Sequence, residues 1–349
     1  MNDNSKKIII IFMLLIVLMI EMFLSLMIGS VDLSLHDIWR TIVNGLISDK
    51  AVNMPGQGPL HDIIWILRMP RILLAGIAGA GLAVCGVVMQ AIIKNPLADP
   101  YIMGISSGAS LGATVAILLG VGSGIFSNFV GVAAFLGAVG ISVLVLLLAN
   151  IGGNVHAVKL LLIGMALNMV CSAMSSFVVY FAQDKDGIQS ITFWLMGSFA
   201  GADWLTLPVV GGISLVGILF FIMHNRVLDM MLFGDETAVT LGMDLHYYRQ
   251  SYVLLSALMV GFIVYSAGML GFVGLLVPHV ARIIVGTEHR YLLPMAGLLG
   301  AILLVLADVV SRSLIEHSEI PVGIIISLIG APCFVYMIVR KAYFTGGNQ

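Results

Sequence analysis

The residues from Ile8 to Ile28 form an almost unbroken apolar run, and nine more runs of the same kind follow before the chain ends. A helix needs roughly 20 apolar residues to cross the hydrocarbon core of a bilayer. That core offers no water to the backbone, so a spanning segment must be a helix or part of a closed barrel. Barrel strands read as alternating segments of roughly ten residues, whereas these runs are continuous. Bounded by Pro, Gly and charges, they predict spans at 8–29, 70–92, 101–121, 126–149, 157–182, 204–224, 249–268, 271–286, 291–311 and 321–340. With 60% of its 349 residues hydrophobic and 10% charged, the chain has no room for a sizeable soluble domain. The reading is an all-α integral membrane protein of ten transmembrane helices in one domain over 1–349.

Several details follow from local sequence. The first run is longer than a signal-peptide core and lacks a small-x-small cleavage site, so it is read as a retained span. The eighth is short and contains Pro278, which predicts a kinked or partly inserted helix. Leu35, Ile38, Trp39, Ile42 and Leu46 recur at helical spacing and predict a short helix on the membrane surface. Gly104, Gly108, Gly112 and Ala116, like Ala75, Gly79 and Ala83, recur every four residues. Lipid supplies no hydrophobic drive between helices, so such small-residue faces are expected to be buried seams. Cys85, Cys171 and Cys333 lie far apart with no CxxC, which points to neither a disulfide framework nor zinc, and they are read as small core residues. The net charge of −2 gives no reason to expect a nucleic-acid partner.

Orientation follows from the basic residues. An even number of spans puts both termini on one side. With the termini in the cytoplasm, Lys6, Lys7, Lys94, Lys159, Arg226, Arg249, Arg282, Arg290, Arg340 and Lys341 fall inside, and Arg40, Lys50, Arg68, Arg71, Lys185 and Arg312 outside. The longer inside set predicts cytoplasmic termini. Arg68, Arg71 and Arg312 defy this bias. Pro70 suits a first helical turn, so Arg68 and Arg71 are expected at the outer end of the second span, with Arg312 at the same face. Docking of a partner, lipid headgroups and a pair with Asp308, four residues before Arg312, are the open readings.

Other polar positions also carry two readings. Met165, Asn168, Ser172 and Ser175 form a stripe on the fifth span, either bonded to a neighbouring helix or lining a water-filled path. The longest predicted cytoplasmic loop, about 226–248, contains Gly234, Asp235, Glu236, Ala238, Leu241 and Gly242. Asp235 can cap a short helix and Gly242 can end it. Ala238, Leu241 and Val239 would then form an apolar patch flanked by acids, or the helix would fold back on the membrane. Glu21 lies within the first span, and His279 follows Pro278 as a packing element or a ligand. Glu21, His156, His279 and Asp308 are the groups on which an ion- or proton-coupled transporter acting without an ATPase would draw. None of the seven lysines is followed by Ser or Thr, so the chain has no P-loop. It also lacks HExxH and DDxxD, which excludes these membrane-enzyme signatures.

A set of motifs runs in order along nearly the whole chain: LRMPR at 67–71, NPLADP at 95–100, GISSGA at 104–109, WLMGS at 194–198, GFVGLLVPHVAR at 271–282, LADVVSR at 306–312 and EIPVGIIISLIGAP at 319–332. Together they closely resemble the FecCD-type permeases of the iron-siderophore, haem and vitamin B12 ABC importers. The resemblance implies a type II importer permease in a prokaryotic cytoplasmic membrane, working as a dimer with a second copy or a paralogue. It also implies a translocation path at the subunit interface, bordered by the fifth helix, with a metal chelate as substrate. Two cytoplasmic ATPase subunits, which bind ATP and Mg, would dock on the Ala-x-x-Leu-Gly loop. An extracytoplasmic binding protein would place glutamates against Arg68, Arg71 and Arg312. This chain itself is expected to hold no cofactor and no metal. Ferric siderophore, haem and corrinoid importers share these motifs, so the cargo is left open.

Overall fold

The computed structural model describes residues 3–29, 33–47, 58–125, 127–151, 156–315 and 318–345. Lys50 and the side chains of Leu46, Asp235, Glu236, Val239, Arg340 and Lys341 lie outside the described residues. In chain order the helices are α1 (Asp3–Ser25), α2 (Leu35–Ile47), α3 (Pro59–Ile93), α4 (Ile105–Leu119), α5 (Phe129–Asn150), α6 (Ala157–Ala182) and α7 (Lys185–Leu195). They continue with α8 (Leu207–Met223), α9 (Asn225–Phe233), α10 (Asp235–Thr240), α11 (Leu245–Ala267), α12 (Val273–Val285), α13 (His289–Ser313) and α14 (Val322–Thr345).

All ten apolar runs fold as helices. Six are long and apolar enough to cross a bilayer: α1, α3, α5, α6, α11 and α13. The pair α8 and α9, bent by 61°, forms a broken seventh, and α4, α12 and the apolar part of α14 are shorter apolar helices. The helix expected at 35–47 is α2, whose Ile38 is buried while Leu35 and Trp39 are exposed. The sequence reading did not foresee α7, which Asp184 caps by accepting from the Asp186 N–H at 3.1 Å.

The core is built around α3, which packs against α13, α12, α11 and α8. The small-residue seams explain how. A Cβ on Gly79 would run into the Gly300 carbonyl oxygen of α13, and one on Gly300 into the Gly79 carbonyl oxygen. A Cβ on Gly86 would likewise run into the Gly274 carbonyl oxygen of α12, while one on Gly274 would meet the Pro100 ring. A second seam joins α4 to α5, with Gly108 against Gly137 and Gly112 against the backbone of Ala133. At these positions any side chain would force the backbones apart, which is why the helices meet at small residues. Cys85 and Cys171 are buried, but Cys333 is exposed, so its assignment to the core is corrected.

Two opposite faces can be traced through contacts. Lys7 Nζ lies 5.3 Å from the centroid of the Tyr291 ring, so the first turns of α1 and α13 share a face. There Asp229 of α9 accepts from the His289 backbone N–H at 3.0 Å. Lys94, just past α3, approaches Gly234 between α9 and α10. The other ends of α1 and α13 meet where Arg312 bonds Ser25, and this face also carries Arg68 and Arg71.

Candidate docking and coupling sites

The arginine-bearing face begins with an irregularity in α3. Residues Asp62–Arg68 form a π-helical turn, with the Met69 N–H bonded to the Ile64 carbonyl five residues back. Pro70 has no N–H to offer the preceding turn, and a wide turn beside it lets the helix continue in both directions. Pro70 sits in the first turn of the α-helical segment Met69–Ile93, as expected, and the π-helical turn extends the helix back towards Pro59. The Trp65 carbonyl within this turn accepts instead from the Trp204 indole N–H at 2.6 Å.

Arg68 donates from Nη1 to the Leu26 carbonyl at 2.5 Å, in a space that a side chain on Gly29 would invade. One turn on, Arg71 donates from Nε to Asp308 Oδ1 at 2.6 Å and from Nη1 to both Glu319 oxygens at 2.8 and 2.9 Å. Arg312 Nε lies 3.1 Å from Asp308 Oδ2, and its two terminal nitrogens reach the Ile28 carbonyl at 2.9 Å and the Ser25 hydroxyl at 2.8 Å. Asp308 is fully buried and serves both arginines. Taking such ions out of water costs several kcal/mol each, about what close charge-assisted bonds can offset. The cluster thus ties together the ends of α1, α3 and α13 and the strap that leads into α14.

This geometry corrects the sequence reading. Arg68 and Arg71 lie at the end of the span, where side chains can snorkel into water, yet they are 6% and 7% exposed, and Arg312 also turns its guanidinium inward. The three arginines do come together at one face, and the expected Asp308–Arg312 pair forms. Sequence reasoning missed Glu319 as the acidic member at the surface, its side chain 49% exposed. Its position 248 residues from Arg71 left no local signal.

At the opposite face, α9 leaves α8 at the 61° bend and buries Val227, Leu228 and Met231. Asp229 on this helix also lies 2.6 Å from the His289 ring Nδ1, fastening α9 to the start of α13. Gly234 and Gly242 take positive φ (+107° and +80°) on either side of α10, as their place at its ends requires. Across Gly242 the Met243 N–H returns to the Ala238 carbonyl at 2.9 Å. Ala238 is fully buried and faces the protein, so the expected exposed patch of Ala238 with Leu241 is corrected. Leu241 is exposed, and so is Phe233 at the end of α9, an exposed apolar residue of this loop that sequence reasoning missed. Phe233 precedes Gly234 and lies off the buried stripe of α9, which is the signal that could have found it.

The NPLADP segment adjoins this loop. Asn95 Oδ1 accepts from the Leu97 N–H at 2.9 Å and Asp99 Oδ1 from the Tyr101 N–H at 2.8 Å, which makes the rigid turn expected from its composition. Burial pushes the Asp99 carboxyl up to about 6, against the opposing pull of the Tyr101 N–H.

The α6 stripe lies mostly open. Met165, Asn168 and Ser172 are exposed and Ser175 is partly covered. Only Leu160, Gly164 and Cys171 of this helix are buried. Glu21 keeps both carboxylate oxygens buried without a hydrogen-bond partner among the described residues. Among those residues no group of three His, Cys, Asp or Glu side chains could hold a metal.

A bundle of ten apolar helices, six of them long enough to cross a bilayer, with a loop helix on one face and an ionic cluster on the other, is the architecture of a polytopic membrane protein. The chain belongs to the FecCD transport family, whose pattern matches residues 14–340. It is 36% identical over 346 residues to the hemin transport system permease protein HmuU of Yersinia pestis, covering 98% of each chain. It is 38% identical over 280 residues to the vitamin B12 import system permease protein BtuC of Salmonella paratyphi A, covering 80% of this chain and 84% of that one. A solved structure described as an inward-facing metal-chelate type ABC transporter superposes with a TM-score of 0.82 at 34% identity, covering 95% of this chain and 99% of that one. The chain is therefore the permease subunit of an ABC importer and not an enzyme, with ATP hydrolysed on separate subunits. This overturns the alternative of a secondary transporter acting without an ATPase.

Proposed function

We propose that this permease carries a metal chelate of the ferric siderophore, haem or corrinoid kind into a prokaryotic cell, with both termini in the cytoplasm. It pairs with a second permease chain, a copy or a paralogue, and with two ATPase subunits that bind ATP and Mg. A binding protein on the outer side delivers the chelate. The observation that carries this reading is α6, a 26-residue helix with three buried residues and a polar stripe. A lone chain in lipid has no use for Asn168, Ser172 and Ser175 on a largely uncovered helix. At a dimer seam the same stripe lines the path of the chelate.

Leu241, Phe233 and the loop from Gly234 to Gly242, with Asp235, Glu236 and Ala238, receive the ATPase. Ala238 acts from inside by holding α10 in place. Arg71 and Arg312, from within the ionic cluster, and Arg68 on the same face serve the binding protein, their guanidinium groups being suited to carboxylates. The test is uptake by proteoliposomes holding the assembled complex, with binding protein loaded in turn with haem, cobalamin or a ferric siderophore. ATP-dependent uptake of one of the three is expected. Uptake that proceeds without the ATPase, or transport of none of the three, would overturn the reading.

A further inference from the structure

The helices α1, α3, α8 and α13 do not close on one another completely. α1 packs along α13 and only touches α3, and between it and α8 a cleft of about 600 Å³ is left. Gly76 and Ala80 of α3 and Gly297 and Ala301 of α13 line it, so small residues make the room. A Cβ on Gly76 would still stand 3.9 Å from its nearest neighbour, Met22 Cε, so this glycine, unlike Gly79, is not needed for a backbone contact. None of the lining residues is charged, and the single hydroxyl, that of Ser214, lies 3.6 Å from where a Cβ on Gly81 would stand. Phe12 and Leu215 on the rim are exposed, so the cleft opens sideways. Water needs several polar partners to stay in such a space, and hydrocarbon needs none. From Ile8 to Met22 the α1 wall is about 20 Å long, enough to run from the headgroup level past the middle of a ~30 Å hydrocarbon core.

The mouth of the cleft is basic. Lys7 immediately precedes Ile8, and Arg290 lies one turn before Pro294, both of which line the space. Lys7 Nζ and the Arg290 guanidinium stand 5.3 and 5.5 Å from the centroid of the same Tyr291 ring, which is itself buried. Lys7 also meets Asp3 at 3.0 Å, but that carboxylate is 75% exposed and the pair is of the weak, solvated kind. Basic side chains between transmembrane helices at a membrane surface hold anionic headgroups.

We propose that this cleft is a binding site for one anionic phospholipid, with an acyl chain lying against α3 between α1 and α8 and the phosphate between Lys7 and Arg290. A zwitterionic lipid fits less well, because its ammonium would come up against the same two cations. The lipid enters from the leaflet beside the start of α1, the inner one in the orientation proposed above. The site depends neither on the cargo nor on where the partners dock. It joins α1 to α8 through hydrocarbon on the side of α3 away from α6, which packs chiefly against α4 and α5.

The experiment reconstitutes the full transporter complex in vesicles of equal parts phosphatidylglycerol and phosphatidylcholine and extracts it in detergent. Retained lipid is counted by native mass spectrometry, with thermal stability measured in parallel. Wild type is expected to keep one phosphatidylglycerol per permease chain, preferred about five- to tenfold over phosphatidylcholine. Ala80→Phe and Gly76→Leu each fill the cleft from its floor and should abolish that retention. Lys7→Gln with Arg290→Gln leaves the cleft itself intact and should remove the preference while a lipid is still kept. Lipid that merely surrounds the protein would be insensitive to a filled cleft, so undiminished retention in the folded Ala80→Phe and Gly76→Leu variants overturns the proposal. A wild type that keeps no phosphatidylglycerol, or keeps both lipids alike, overturns it too. Arg290 is exposed and Lys7 half-buried, so the charge variant remains a test even where a filled cleft does not fold. An unchanged preference in it would remove Lys7 and Arg290 from the site and sink the proposal.

Discussion

α3 and α6 are both apolar enough to cross a bilayer, yet 83% of the most apolar stretch of α3 is buried in the protein and 17% of that of α6. The difference lies in side-chain size. α3 is studded with Gly76, Gly79, Gly81 and Gly86, and neighbouring backbones close on it from several sides. α6 has one glycine, Gly164, set against Ile102 and Met103, and elsewhere presents Met165, Met169, Met174, Phe177 and Phe181 to its surroundings. Hydropathy announces that a helix enters a membrane; the spacing of small residues announces what it will touch there.

The sharpest way to break this contrast is a large residue in the α3 seam. Gly79→Leu drives a side chain into the Gly300 backbone, and we expect it to cost more than the ~3 kcal/mol of an ordinary overpacked site. Little monodisperse protein should be recovered from detergent. Met169→Leu on α6 is expected to shift stability by less than about 0.5 kcal/mol, and equal damage from both would end the comparison. Asp308→Ala strands Arg71 and Arg312 in a buried site and is expected to cost about 3–5 kcal/mol, read as a loss of thermal stability.

Exposed apolar residues should cost assembly rather than folding. Leu241→Asp is expected to lower stimulated ATP hydrolysis at least about tenfold, the loss of ~1.4 kcal/mol of association, with normal thermal stability. Ala238→Asp buries a charge and should lower stability as well. Single cysteines at Asn168 and Ser172, with Cys85, Cys171 and Cys333 replaced, are expected to react with water-soluble thiol reagents in the assembled complex at rates that change with the ATPase state. Leu162 and Val170 are equally open in the single chain, so faster labelling there would move the path to the other side of α6.

The smallest expected effect is a pH dependence. The Asp99 carboxyl is raised in the folded chain to about 6 from an ordinary 3.8, so folding favours its protonated form. Its contribution to stability is complete below pH 3.8 and is lost as pH rises through about 6. Asp99→Asn keeps the acceptor for the Tyr101 N–H and should flatten the stability profile between pH 4 and 7. An unchanged slope would assign that pH dependence to other groups.

Much of this architecture was legible in the sequence because it depends on local runs. Ten apolar stretches marked ten helices, and Gly79 and Gly108 marked their seams. Residues whose roles depend on distant partners were not legible. The inward turn of Arg71 is set by Asp308, 237 residues away, and the latch of α9 by His289, 60 residues from Asp229. The π-helical turn that carries the helix on beyond Pro70 also had no signal in the sequence. Ala238 was misjudged because a helix of six residues shows too little periodicity to tell its inner side from its outer.

The backbone contacts of α3 also decide how motion can be shared out. At Gly79 and Gly300, and again at Gly86 and Gly274, no side chain stands between the helices to change rotamer and absorb a shear. α3, α12 and α13 can therefore be displaced only as one block, the stator of the machine. The latch of α9 at one end of α13 and the arginines at the other belong to that block. The travel that an alternating-access cycle demands must then come from parts held by looser contacts, and α6, fastened along a single narrow stripe, is one of them.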